Sequence, residues 1–159
     1  MSQLRVFDFQ ENKKKYTLFI DQLTKFCLIE DYNSSKFETI LEQIVHLFHK
    51  PDFFLVHPDD KLHQNTIEIA KKHSIQFETI NLEDKNSPIE TINQIIFKIV
   101  KDHITSIDPQ ALSSSLNQTK IDLLNLSPYE LLFERKPKSL SNVRKLSKNF
   151  LQIFSKPSF

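Results

Sequence analysis

Apolar residues fill alternate positions in two short segments near the start of the chain, and most of the positions between them are apolar too. The segments are YTLFI at residues 16–20 and FCLIE at residues 26–30, and the polar segment DQLTK joins them. This pattern predicts a β-hairpin. Because both faces of each strand carry apolar side chains, we expect the hairpin to lie in the middle of a sheet that has helices packed on it.

Strand-like and helix-like patterns alternate along the rest of the chain. Residues 4–9 predict a first strand, with Asp8 near its end and at an edge of the sheet, and residues 53–56 and 75–80 predict two more strands. Apolar positions at three- and four-residue steps predict helices. These helices cover about residues 37–48, 65–73, 88–100, 109–117, 128–133 and 143–154. Strands that alternate with helices predict an α/β fold.

Composition narrows the possible classes of protein. The 159 residues suit one globular core and contain no glycine, although average usage is about 7%. Glycine-rich phosphate-binding loops are therefore excluded, and we expect the turns to use Asn, Asp, Ser or Pro. Cys27 has no second cysteine to pair with, and no apolar run reaches the roughly 20 residues that span a bilayer. We expect a soluble, intracellular protein without a membrane partner.

Charge is spread unevenly along the chain. Residues 134–159 hold seven Lys or Arg and one Glu, a net charge of +6, whereas the first 133 residues hold 14 basic and 19 acidic side chains, a net charge of −5. An acidic body with a basic C-terminal segment predicts a tail that meets an acidic partner, nucleic acid, or the body of its own or a second copy.

Three segments contain recognisable motifs. They are SPYELLFERKPK at residues 127–138, IDQLTKF at residues 20–26, and the run at residues 75–97. These segments resemble SPFELLYGRKPR, VIDxFTKW and the run through SNGxVERxNRTLK in the catalytic core of Ty3/gypsy retrotransposon integrases. The resemblance implies a ribonuclease-H-like α/β fold over residues 1–138, with a five-stranded mixed sheet flanked by helices. Residues 139–159 then form a separate basic, amphipathic C-terminal helix.

Integrase cores hold two metal ions between an Asp, a second Asp and a Glu, and the ions activate water or a DNA hydroxyl for attack at phosphorus. By motif, the resemblance places Asp8 at the first position, Pro58 at the second and Glu90 at the third. Proline offers no metal ligand. We therefore expect these to be remnant positions without catalysis and without a metal cofactor.

The alternative is an active nuclease or strand-transfer enzyme that uses Mg²⁺ or Mn²⁺. It would need Asp59 or Asp60 in place of Pro58, together with Asp8 and Glu90. Two further departures from the family argue against activity. The loop before Glu90 is shortened and has no glycine, and the arginine of the VERxN motif is absent.

The predicted C-terminal helix has an apolar face and a basic face. The apolar face has Val143, Leu146, Phe150 and Phe154, and the basic face has Arg144, Lys145 and Lys148. Apolar side chains of this size are costly to leave in water, so we expect the apolar face to bind a protein partner. The alternative is that the basic face binds nucleic acid.

Together these features predict a catalytically inactive, integrase-derived domain that acts as a protein–protein interaction or dimerisation module. The resemblance implies a dimer face formed by the helices at residues 37–48 and 108–117. We expect the protein in the nucleus, in a complex linked to chromatin or nucleic acid, with the cytoplasm as the alternative.

Overall fold

A five-stranded mixed sheet forms the centre of the structure. The computed structural model describes residues 3–31, 42, 50–80, 88–120 and 125–133. The strands are β1 (Gln3–Glu11), β2 (Lys14–Asp21), β3 (Cys27–Asp31), β4 (Phe53–Val56) and β5 (Gln76–Thr79), in the spatial order β3-β2-β1-β4-β5. The pairs β1–β2 and β2–β3 are antiparallel, and the pairs β1–β4 and β4–β5 are parallel. The predicted α/β class and mixed five-stranded sheet are confirmed.

Four helices are described, and each begins close to its predicted start. They are α1 (Gln64–Lys72), α2 (Pro88–His103), α3 (Pro109–Gln118) and α4 (Pro128–Phe133). Asp108 caps α3, because its carboxylate accepts hydrogen bonds from two backbone N–H groups of the first turn. Ser127 and Glu130 form a reciprocal capping box at the start of α4, with N–O distances of 2.8 and 3.1 Å.

Two predicted helices cannot be compared with the structure. The helix at residues 37–48 lies outside the described residues apart from Glu42, and the C-terminal helix at residues 143–154 lies wholly outside them. In the ranges that are described, no helix is long and apolar enough to cross a bilayer.

The sheet separates two apolar cores, as the two-faced hairpin predicted. One core packs α2 and α3 on one face, and the other packs α1 and α4 on the opposite face. Phe7, Phe9, Leu18, Ile20, Ile96, Val100 and Leu112 are in the first core, and Leu4, Val6, Phe19, Phe54, Ile69 and Ala70 are in the second. Successive residues of β1 and β2 enter different cores because strand side chains alternate between faces.

The hairpin of β2 and β3 is not in the middle of the sheet, because β3 is an edge strand. Side chains of α3 cover that edge. The Asn117 amide accepts a hydrogen bond from Cys27 N at 2.7 Å and donates one to Cys27 O at 2.8 Å, and Ser113 Oγ accepts from Ile29 N at 3.1 Å. These contacts replace a neighbouring strand and satisfy the outward backbone groups of β3. They explain how an edge strand can be apolar on both faces.

Turns without glycine use lysine as well as the expected residues. Asn12 and Lys13 both have positive φ angles, 48° and 65°, at the tight β1–β2 turn, and Lys25 has a φ of 63° before β3. A two-residue hairpin turn requires positive φ at both positions when it has the favoured type I′ form. The expectation that every turn would use Asn, Asp, Ser or Pro was therefore wrong at Lys13 and Lys25.

Candidate functional site

A buried arginine lies at the centre of the polar cluster on the α2 face of the sheet. Arg5, in β1, is 1% exposed. Its Nη2 and Nε donate to Glu90 Oε1 at 3.2 and 3.3 Å, and its Nη1 lies 3.4 Å from Asp60 Oδ2. Nη1 also donates to the backbone oxygen of Val6 at 2.8 Å. One guanidinium therefore links two carboxylates that come from distant parts of the chain.

The packing of α2 against β1 brings Arg5 and Glu90 together. Phe97 stacks on Phe7 with ring centroids 4.3 Å apart, and the Arg5 guanidinium lies 3.9 Å from the Phe7 ring centroid. Glu90 precedes Phe97 by seven residues, about two helical turns, so the two side chains share one face of α2. Arg5 and Phe7 share one face of β1 because they are two residues apart. The Phe7–Phe97 stack and the Arg5–Glu90 ion pair therefore both result from one packing arrangement of α2 on β1.

Asp60 is brought to Arg5 by a turn that immediately follows β4. Asp60 N donates to His57 O at 3.0 Å, and Asp60 Oδ2 accepts from His57 N at 2.9 Å. Pro58 is the second residue of this turn, a position that its fixed φ favours. Asp59 points to solvent, with its side chain 92% exposed. At this end of β4, the carboxylate that faces the cluster is that of Asp60.

Further partners of Glu90 extend the cluster to the β2–β3 turn. Asn93 Nδ2 donates to Glu90 Oε2 at 3.1 Å, and Gln94 Nε2 donates to Oε1 at 2.9 Å. Lys25 Nζ donates to Asn93 Oδ1 at 2.9 Å. Burial lowers the pKa of Lys25 to about 8. Both carboxylate oxygens of Glu90 are therefore held by nitrogen donors.

Asp8 lies on the opposite face of the sheet from this cluster. It is three residues from Arg5 within β1, which is the central strand, so the expectation that Asp8 lies at an edge of the sheet was wrong. Its carboxylate accepts hydrogen bonds from Thr17 Oγ1, Thr66 Oγ1 and, at 2.8 Å, His63 N. Burial raises the pKa of Asp8. These contacts attach the start of α1 to the sheet, where a carboxylate interacts favourably with the helix dipole.

The motif positions therefore do not converge on one site. Asp8 and Glu90 are on different faces, Asp59 points to solvent, and Arg5 lies between Asp60 and Glu90. Within the described ranges, no group of three or more His, Cys, Asp and Glu side chains is placed to hold a metal ion. A guanidinium between two carboxylates does not fit a two-metal centre, because it occupies the space and supplies the positive charge.

Sequence reasoning missed Arg5 and Lys25, and it missed a second feature, on the edge strand β3. Glu30 in β3 is 6% exposed and makes no hydrogen bond or ion pair within the described part of the chain. Burial raises its pKa to about 7, with a smaller contribution from Asp31. The available signal was a charged residue inside a predicted strand: Arg5 lies between the apolar residues Leu4 and Val6, and Glu30 follows the apolar residues 26–29.

The candidate tail residues lie outside the described residues. They are Val143, Leu146, Phe150 and Phe154 on the apolar face and Arg144, Lys145 and Lys148 on the basic face.

Replacing Arg5 with glutamine should destabilise the fold by about 3–5 kcal/mol, because Glu90 and Asp60 lose their buried cation. Adding Glu90→Gln to Arg5→Gln should recover part of that loss, giving a coupling energy above about 1 kcal/mol in a double-mutant cycle measured by urea denaturation. Lys101→Gln is the matched control, since Lys101 lies 3.9 Å from Glu11 in a partly exposed pair and should cost below about 1 kcal/mol. Additive effects of the two substitutions would contradict the contact.

Replacing Glu30 with glutamine should stabilise the protein, and the gain should depend on pH. Between its ordinary pKa of 4.5 and its folded value of about 7, Glu30 stays protonated in the folded state but ionises on unfolding, so wild-type stability falls as pH rises through this window. The glutamine variant has no such titration. Urea denaturation from pH 4 to pH 8 should give a gap that widens up to about pH 7, to about 1–3 kcal/mol, and then stays constant. A gap independent of pH would contradict the unpaired burial of Glu30.

No protein-family model matches the chain, and no curated protein matches it closely enough to count as a relative. The resemblance to integrase cores therefore depends on the motifs alone.

Proposed function

We propose that this chain is a degenerate integrase core that has no catalytic activity and works as a protein-interaction module. One observation carries the proposal: the Arg5 guanidinium lies between the carboxylates of Glu90 and Asp60. An integrase core would hold the positive charge of its metal ions between such carboxylates. Here a side chain of the protein supplies the charge.

The chemistry of the guanidinium supports the loss of activity. Metal ions in such a site polarise phosphoryl oxygens and generate a nucleophile by lowering the pKa of bound water. A guanidinium stays protonated and has no open coordination position, so it can neutralise Glu90 and Asp60 but cannot generate hydroxide. The cluster then stabilises the fold and carries out no reaction.

The arrangement of the sheet supports the integrase relationship. The order β3-β2-β1-β4-β5, with a central β1 and helices on both faces, is compatible with a ribonuclease-H-like fold. Glu90 lies in the first turn of α2, where the resemblance expects the third acidic residue. Its neighbours on β1 and after β4 are Arg5 and Asp60, so the equivalent of the metal site would lie between these elements.

The interaction role is inferred from the sequence beyond the described residues. The acidic body and the basic segment 134–159 have opposite charge, and the predicted C-terminal helix has an apolar face that is costly to expose. We infer a protein partner or a second copy of the chain, in the nucleus and in a complex linked to chromatin or nucleic acid. Binding of nucleic acid by the basic face is the competing outcome.

Wild-type protein should not nick or join DNA in Mg²⁺ or Mn²⁺, and neither ion should raise its melting temperature. Pro58→Asp should not restore activity, because Arg5 still fills the site. In contrast, Arg5→Asp places a third carboxylate beside Asp60 and Glu90, so Mn²⁺ should raise the melting temperature of this variant by several degrees. The uncharged Arg5→Asn variant is the matched control and should respond less.

Plasmid nicking and differential scanning fluorimetry measure these outcomes. Wild-type nicking that depends on metal and disappears in Glu90→Gln would overturn the proposed inactivity, even if the Arg5→Asp variant does not fold.

If the tail binds a protein, Phe150→Asp with Phe154→Asp should abolish binding, and affinity should change little with salt. If it binds nucleic acid, Lys145→Glu with Lys148→Glu should abolish binding, and the affinity should fall steeply as the salt concentration rises. We expect the first result in sedimentation velocity of the full chain, alone for self-association and with candidate partners. Far-UV circular dichroism of both double variants checks that the body stays folded. Tight, salt-sensitive binding of wild-type protein to DNA in a gel-shift titration would favour nucleic-acid binding by the tail.

A further inference from the structure

A pocket of about 280 Å³ lies between β3, α3 and α4. Its described lining has an apolar part and a polar part. The apolar part is Phe26, Leu28, Ile29 and the ring of Tyr129, and the polar part is Glu30, Gln110, Ser113, Ser114, Asn117 and Gln118. Pockets for drug-sized ligands usually begin at about 300 Å³. This pocket therefore suits a group the size of one side chain.

Two hydrogen-bond acceptors in the pocket have no partner among the described residues. One is the carboxylate of Glu30, a residue that is 6% exposed and has no ion pair or hydrogen bond within the described ranges. The other is Gln118 Oε1, which is buried and unpaired, while Gln118 Nε2 donates to Ser114 Oγ at 2.8 Å. A carboxylate that has lost part of its hydration without gaining a donor is costly. Within the described ranges, these two acceptors therefore have neither a hydrogen-bond donor nor a positive charge paired with them.

Two of the polar lining residues are already used to cover the edge of β3. Asn117 and Ser113 are already engaged with the backbone of Cys27 and Ile29. The described lining contains no Lys, Arg or His. A neutral ligand would leave the charge of Glu30 unpaired, and an anion would be repelled by it.

We propose that this pocket binds a primary ammonium or guanidinium group on an alkyl chain, with the cation paired to Glu30 and Gln118 and the alkyl chain against Phe26 and Leu28. The cation supplies several donors in a charge-assisted contact. The alkyl chain matches the apolar wall, as buried stems of Lys and Arg side chains do elsewhere. The source is either a free alkylamine or a basic side chain of another polypeptide. This inference is independent of the proposed function, because it uses only contacts at the β3 edge of the sheet, away from the Arg5 cluster.

The test is a titration of the full ¹⁵N-labelled chain at pH 7.5, followed by amide chemical shifts. The probes are Nα-acetyl-lysine methylamide and its matched neutral analogue, Nα-acetyl-norleucine methylamide, which lacks only the amine. We expect saturable shifts at Glu30, Ser114 and Gln118 with the lysine compound and affinity at least about tenfold weaker for the norleucine compound. Butylamine separates the two sources: equal affinity indicates a free amine, and weaker affinity indicates a side chain in a polypeptide.

Two substitutions connect the binding to the proposed contacts. Glu30→Gln keeps the shape of the side chain and should weaken the lysine compound at least about tenfold, whereas Glu78→Gln on the exposed strand β5 should leave it unchanged. Gln118→Met should weaken it severalfold and provides the same test if Glu30→Gln does not fold. Absence of saturable shifts, equal affinity for the two matched probes, or unchanged affinity in Glu30→Gln would overturn the proposal.

Discussion

The requirement to neutralise one buried charge organises this structure. Moving a guanidinium from water into the interior costs several kcal/mol unless it is paired and hydrogen-bonded. Arg5 meets this requirement with Glu90 from the start of α2 and Asp60 from the turn after β4, and its planar face rests on Phe7. Two elements distant in sequence, α2 and the turn after β4, are thereby fixed relative to β1. If any one of these contacts is lost, a charged group remains buried in the low-dielectric interior without that partner.

Two glutamates of similar burial have different roles because their surroundings differ. Glu90 is 8% exposed, and donors from Arg5, Asn93 and Gln94 hold its carboxylate. Glu30 is 6% exposed, has no such donors, and has a pKa raised to about 7. The first carboxylate completes an internal network. The second carboxylate has no paired donor or cation within the described ranges, so an external cation can pair with it.

Local patterns predicted the elements well because they depend on neighbouring residues. The period of apolar positions located the five strands, and Pro88, Pro109 and Pro128 marked the helix starts within the described residues. The motif-based site was less successful. The motifs assigned Asp8 and Asp59 to a possible metal site, but Asp8 anchors α1 on the other face and Asp59 points to solvent. A motif match shows which residue follows a strand in the sequence. It does not show on which face of the sheet the side chain of that residue lies.

Strand alternation alone puts Arg5 and Asp8 on opposite faces of β1, because these residues are three apart. Apolar periodicity and proline positions likewise indicate where the strands and helices begin. That Arg5 and Glu90 share a face follows from the packing of the folded chain and from no local pattern. That contact joins residues 85 positions apart and arises from the packing of α2 on β1 through Phe7 and Phe97. Packing of this kind depends on shape and charge across the whole core, which no local pattern encodes.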